Sequence, residues 1–414
     1  MTKKCVFHSR WRSRWLLVLH LALASTFVSA GEDISHVEGL IEEITVTNFS
    51  DLDDGLCDAD CSLREALNKS NSLVGASGNI VFDNTVFSVP RIINLTEALP
   101  DITNSLNLAG PGADLLTVRR DSNNSFGIFS IPGSGLYIEM SDLTISNGNS
   151  QFGVGGGIYS ASYLVLNTVV VSNSLADDGG AIYLGAGGEF RYCNFHTNQS
   201  DRGGGIFYRA GEGDILHIEN STISNNIAAQ GGAIYFQNFD DADQMEMTIS
   251  SSTLARNTSI WTFVMQTDGA GRSSVVTLDN SIFADGGEAN LVGLSGSGST
   301  PTFTSLGYNL TDDNGSFVLN ATGDQVDTDP MLGPLGNYGY PIPGHPPLAG
   351  SPLIDGGNCA VSGLSDDQRR VARPVDAPDV ANVADGCDIG AIEWSDDVFE
   401  DGFENKGIVP ASSL

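Results

Sequence analysis

The residues best placed to do chemistry are Asp177, Asp178 and Asp201, with Arg202 beside the last. They stand just before Gly-Gly pairs that recur 24 residues apart. Two carboxylates held about 5–6 Å apart would suit a retaining glycoside hydrolase, one as nucleophile and one as acid. A lyase would instead need a base, with cations such as Arg202 on the substrate carboxylates. The equivalent position one repeat later is Gln230, and acidic loops recur along the whole chain. The residues therefore favour a solvated acidic corner over a catalytic one, and Asp240-Asp241 is a weaker candidate still. Histidine is sparse beyond residue 30, at His36, His196, His217 and His345, with no zinc-ligand spacing. No Ser-His-Asp signature or G-x-S-x-G elbow is present. The acidic loops Asp51–Asp60, Asp177–Asp178 and Asp240–Asp243 offer the oxygen ligands calcium prefers, but none is an EF-hand loop. The expectation is no cofactor, with calcium as the secondary candidate.

These residues must be positioned by a repeat. Four columns recur: an apolar residue, a mostly small one three later, an apolar one two later, and Asn or Gly three later. The copies are Met140/Leu143/Ile145/Gly148, Val165/Thr168/Val170/Asn173, Phe190/Cys193/Phe195/Asn198, Ile218/Ser221/Ile223/Asn226, Ile249/Ser252/Leu254/Asn257 and Leu278/Ser281/Phe283/Gly286. They start 25, 25, 28, 31 and 29 residues apart. Between them lie Gly155-Gly156-Gly157-Ile158-Tyr159, Gly179-Gly180-Ala181-Ile182-Tyr183, Gly203-Gly204-Gly205-Ile206-Phe207 and Gly231-Gly232-Ala233-Ile234-Tyr235.

A period of this length marks a solenoid. No copy holds a helical apolar stripe, whereas each holds short runs of Val, Ile, Phe, Tyr and Thr, which read as strands. The expected fold is all-β: a single-stranded right-handed parallel β-helix of about ten rungs stacked ~4.8 Å apart. Asn173, Asn198, Asn226 and Asn257 are expected to take a left-handed bend and to stack their amides from rung to rung. Gly156, Gly180, Gly204 and Gly232 are expected to form a second corner, where the backbone has no Cβ to place. Cys193 falls in the small column, which reads as a buried residue and not a reactive thiol.

The chain has 414 residues with 19 Lys and Arg against 51 Asp and Glu, a formal charge of −32. Five of the basic residues precede residue 15, and only Lys69 and Lys406 remain as lysines thereafter. That balance excludes nucleic acid and anionic lipid surfaces as partners. Residues 1–30 have a basic start, the apolar run Trp15–Ala24 and small residues at Val28-Ser29-Ala30. This is the layout of a secretory signal peptide, too short to span a bilayer well. No transmembrane span is expected after its cleavage. In an oxidising compartment Cys57 and Cys61 can form a local bridge, Cys359 and Cys387 are the natural second pair, and Cys193 is left over.

The Gly-Gly-Ala-Ile runs and Phe195-His196-Thr197-Asn198 resemble the repeat pair of the polymorphic outer-membrane proteins, over about residues 136–290. The chain departs from them in having no long C-terminal run of alternating strands, so no autotransporter barrel is expected. Cys61-Ser62-Leu63-Arg64-Glu65-Ala66-Leu67, after the paired cysteine, resembles the CSLREA domain found at the start of secreted β-helix proteins. Ser62 and Glu65 have capping-box spacing for a short helix to about Asn68 that would cover the first rung. Asp329–Leu335, Gly350–Asp355, Asp367-Gln368-Arg369, Arg373-Pro374 and Cys387–Glu393 resemble the choice-of-anchor Q domain, which closes many bacterial surface β-helix proteins. Arg370 departs from that pattern, which usually has Gly there. Phe399–Glu404 is similar to short tails on exported proteins of Gram-negative bacteria, although a solvated acidic tail is the favoured reading.

The expected organisation is a signal peptide at 1–30, a CSLREA-like cap at 31–78, β-helix repeats at 79–328, a choice-of-anchor Q-like region at 329–394 and a polar tail at 395–414. The expected function is that of a secreted or cell-surface protein of a Gram-negative bacterium. It would be non-enzymatic, binding an extracellular glycan or a surface protein through stacked loops. The rival is a carbohydrate-active enzyme using Asp177, Asp178, Asp201 and Arg202.

Overall fold

In a computed structural model, residues 40–395 are described except 210, 212, 240–243 and 316–317. The repeat forms strands because each run alternates one side chain inward and one outward, and no single rung could bury its inward side alone. The result is a parallel β-helix, 43% strand and 4% helix, of about eight turns against the ten expected. Ten strands do stack on its longest ladder, from Leu40–Val46 through Ala76–Phe82 to Thr300–Gly307. A second sheet has only seven, from Phe129–Ile131 to Ala289–Ser295, so the outermost rungs are not full coils. A second ladder follows the first in every rung after the one at Leu40–Val46, and a four-stranded corner sheet runs from Asn149–Val154 to Ile227–Gln230.

The pairing corrects one copy of the repeat. Leu166 pairs with both Met140 and Phe190, and Val171 pairs with Ile145 and Phe195. The inward residues of that rung are therefore Leu166, Val169 and Val171, all fully buried, and not Val165, Thr168 and Val170. A slip of one residue exchanges the faces of a strand.

The asparagine column is also corrected in part. Asn173 does take the left-handed bend, at φ 55°. In the next rungs the bend falls one residue earlier than expected, on Thr197, Asn225 and Arg256. Asn198, Asn226 and Asn257 instead point inward, with no exposed surface. Asn198 Nδ2 donates to Asn226 Oδ1, and Asn226 Nδ2 to Asn257 Oδ1, each at 3.0 Å. The same oxygens accept the backbone N–H of the preceding rung, Asn198 N at 2.9 Å and Asn226 N at 3.1 Å. The small column builds a parallel ladder, with Cys193 N donating to Ser221 Oγ, Ser221 N to Ser252 Oγ and Ser252 N to Ser281 Oγ at 3.0–3.2 Å.

The glycine corner divides its work between two residues. Gly179 takes φ +68°, while a Cβ on Gly180 would meet the Gly204 carbonyl oxygen of the next rung at 2.5 Å. The first glycine supplies the bend and the second lets the rungs approach.

Both ends are covered by chain outside the repeat. The helix Leu63–Asn71 packs on the first two strands of the stack, with Leu63, Ala66 and Leu67 buried in the main core. At the far end Leu319, with Val318 and Val326, joins the same core. There Tyr308 N donates to Thr322 O and Thr311 N to Gln325 O, so residues 308–315 and 318–328 close the coil. The segment from 329 was expected to close it. Instead it turns back and lies along the outer face of the second ladder. Asn194 Nδ2 donates to Pro343 O, Thr222 Oγ1 to Gln368 Oε1 and Ala391 N to Thr253 Oγ1, across three successive rungs.

Candidate functional site

The corner sheet aligns Leu175 with Gln199 and Asp178 with Arg202. The 24-residue step therefore stacks the arginine, not a second carboxylate, on Asp178. Arg202 grips Asp178 with two bonds, Nε to Oδ1 at 2.8 Å and Nη2 to Oδ2 at 2.7 Å. Its guanidinium also lies 5.0 Å from the Phe207 ring and 5.5 Å from the Tyr235 ring. Asp177 and Asp201 are exposed. The arrangement is a bidentate ion pair over an aromatic stack, which positions a cation and neutralises one carboxylate. A nucleophile and acid pair needs two carboxylates facing one gap.

Below that pair, the rings of Tyr183, Phe207 and Tyr235 stack at 5.0 and 5.5 Å with interplanar angles of 11° and 3°. These are the aromatic letters of the Gly-Gly signature. Stacked face to face on the buried Phe207, they form a spine along the outer side of the seven-stranded sheet.

The motif letters of both flanking regions have structural work. In the first, Ser62 and Glu65 form the capping box, Ser62 N donating to Glu65 Oε2 at 2.7 Å and Glu65 N to Ser62 Oγ at 3.2 Å. Arg64 reaches back to Asp51 at 2.8 Å, with both side chains 6% exposed, and forward to the carbonyls of Glu97 and Ala98. In the second, Arg373 donates to Glu393 Oε1 at 2.5 Å and to Gly390 O at 2.7 Å, while Arg369 pairs with Asp367 at 2.8 Å. Burial raises the carboxyls of Asp388 and Glu393 above the usual range. Gly390 lies so close to Ile282 and Thr253 that a Cβ would meet Ile282 at 2.4 Å. These letters lock the segment together and press it on the solenoid.

Two buried histidines lie at that contact, one on each side. His196, on the second ladder, and His345, on the segment that covers it, are both buried, and burial drives each to about 4. His345 Nδ1 bonds Gly333 O at 2.9 Å, and its Nε2 is buried without a partner, as is Asn194 Oδ1. His217 instead bonds Thr248 Oγ1 at 2.6 Å on the outer face of the first ladder.

Cys57–Cys61 and Cys359–Cys387 are disulfides, and Cys193 is free and buried. Burial pushes the Cys193 thiol up to about 12, which keeps it protonated and unreactive. Among the described residues, a group of three metal-ligating side chains forms at Cys359, Asp385 and Cys387, whose sulfurs are spent in the disulfide. In the Asp51–Asp60 loop the carboxylates of Asp53, Asp54 and Asp58 each cap a backbone N–H two residues on. Residues 1–30, His36, Asp240–Asp243 and the tail beyond Ser395 lie outside the described residues. Among the described residues, no helix is long and apolar enough to cross a membrane.

One surface feature was missed by the sequence reading. Tyr163 stacks on Tyr137 at 5.8 Å and 12°, on the outer face of the first ladder. The signal was a pair of tyrosines one rung apart, outside the columns used for alignment. The class that the fold defines is a parallel β-helix flanked along one side by its own C-terminal segment. No family model, curated protein or solved structure matches the chain.

Proposed function

We propose that this chain is an exported β-helix protein, secreted or held at the surface of a Gram-negative bacterium, that binds an extracellular partner on its outer face without cleaving it. Export is supported by the signal-like residues 1–30 and by the two disulfides. The resemblances to CSLREA, polymorphic outer-membrane and choice-of-anchor Q proteins support a surface role. The observation that carries the reading is the division of the faces. The C-terminal segment occupies the second ladder, while the first ladder turns Tyr137 and Glu139, then Tyr163, then Glu189 and Arg191, then His217 outward along four successive rungs. The carboxylate candidate for turnover, Asp178, is tied to Arg202.

The test is an array screen of the purified full chain against glycans and extracellular proteins, with and without calcium. Specific binding supports the reading. A blank array under both conditions removes it.

A further inference from the structure

We propose that the exposed ring of Tyr137 is the platform of a subsite for a neutral pyranose unit of a glycan lying across the outer face of the first ladder. This rests on the surface-binding reading above and names the chemistry of its ligand.

Tyr137 is 40% exposed, a large apolar surface held at the start of a strand. Tyr163 backs it one rung later, nearly parallel at 5.8 Å. The Tyr163 hydroxyl is itself pinned, donating to Glu189 Oε1 at 3.1 Å. The ring plane is therefore fixed before any ligand arrives, which lowers the ordering cost of binding. The rung before carries Ser105 at the same register, since Leu106 pairs with Ile138, and Tyr137 N donates to Ser105 Oγ at 3.1 Å. A serine leaves room beside the ring that a larger side chain would fill.

Two residues along the strand direction, the same outer face carries Asn79, Asn107 and Glu139 in consecutive rungs. Asn107 Nδ2 donates to Asn79 Oδ1 at 2.7 Å, which orients both amides and leaves the Asn79 amide N–H groups and Asn107 Oδ1 to face outward partners. A platform with aligned amides and a carboxylate beside it suits a ligand with one face of C–H groups and a rim of hydroxyls. The C–H groups meet the negative face of the ring, and the hydroxyls meet the amides and the carboxylate.

Charge selects a neutral sugar. Glu139 stands two residues on along the same outward face, and Glu189 accepts from the hydroxyl of the stacked Tyr163; with partial burial, these carboxylates hold the Tyr137 hydroxyl above its usual pKa. Arg191, the nearby cation, is spent on Glu189 at 2.6 Å and Glu219 at 2.8 Å. A uronate or a phosphate would meet repulsion there.

The experiment is calorimetric titration of the full chain with cellohexaose, laminarihexaose, mannohexaose and, as the anionic counterpart, hexagalacturonate. At least one neutral hexasaccharide should bind. Tyr137→Ala should weaken it at least tenfold, whereas Tyr137→Phe should stay within threefold. Tyr159→Ala, on the seven-stranded sheet, should leave it unchanged. Thermal melts of each variant separate lost binding from lost folding. Neutral-sugar binding that survives Tyr137→Ala, or binding of the uronate alone, overturns the subsite and leaves the surface-binding reading standing. Failure of every hexasaccharide also overturns the subsite. The broader reading falls separately, when the array of glycans and proteins is blank as well.

Discussion

The guanidinium carbon of Arg370 lies 3.4 Å from the centroid of the Tyr192 ring, joining the C-terminal segment to the solenoid. Its Nη2 also donates to Asn167 Oδ1 at 2.8 Å. Arg370 has φ 62°, a conformation that favours glycine. The arginine at a glycine position is thus held by contacts made across the two parts of the chain. Removing the side chain should cost about 1–2 kcal/mol, from a cation–π contact and one hydrogen bond. Arg370→Gly should cost less than Arg370→Ala by roughly 1 kcal/mol, because glycine relieves the left-handed backbone. Urea unfolding of the two variants checks the order, and equal losses would mean the bend carries no strain.

Asn226 should be among the costliest polar residues to remove. Its oxygen accepts from Asn198 N and Nδ2, and its amide donates to Phe195 O and Asn257 Oδ1. Asn226→Ala leaves buried donors and acceptors on both neighbouring rungs unmatched, at about 2–4 kcal/mol. Denaturant melts read the loss directly. A change below roughly 1 kcal/mol would mean that the ladder is not made in solution.

Arg64→Ala should be similarly severe. It strands Asp51 at 6% exposure and frees the carbonyls of Glu97 and Ala98. Breaking a buried pair from one side costs about 3–5 kcal/mol. Replacing both partners, as Arg64→Met with Asp51→Leu, should cost less than the single change, a comparison made by a double-mutant cycle.

The two buried histidines set a pH dependence. Each has its folded pKa pressed to about 4 from an ordinary value of about 6.5. The unfolded chain binds the protons first, so their contribution is present above pH 6.5 and is lost as pH falls toward 4. The full loss is of order 3 kcal/mol for each histidine. Asp279, raised to about 6 by burial, acts in the opposite sense, contributing below pH 4 and losing its contribution as pH rises through 6. Comparing the native chain with His345→Gln isolates the histidine. The stability difference between them should shift against the native chain between pH 6.5 and 4, and a constant difference would contradict this.

How far the sequence carries is visible in two rungs. Phe190, Cys193, Phe195 and Asn198 were legible because inward and outward residues differ in polarity there. In the rung before, Leu164-Val165-Leu166 and Val169-Val170-Val171 are apolar on both faces. Val170 is apolar and outward because the C-terminal segment covers it, packing Ile342 against it with Ala113. The register slip therefore came from a contact some 170 residues away, which local alternation does not encode. The same holds for the flank itself, since Asn194 with Pro343 and Thr222 with Gln368 leave no local mark. The corner carboxylates were a different failure. The 24-residue step that brings Asp177 level with Asp201 also brings Asp178 level with Arg202, and the bidentate pair follows from that arithmetic.

Binding without turnover is the central claim, and recovery of the ligand tests it most directly. A glycan selected on the array is incubated with the full chain, then analysed by mass and by reducing and unsaturated ends. The glycan should be recovered intact at its original length. Shortened products that disappear with Asp178→Asn or Asp201→Asn would contradict the claim and make the corner an active site.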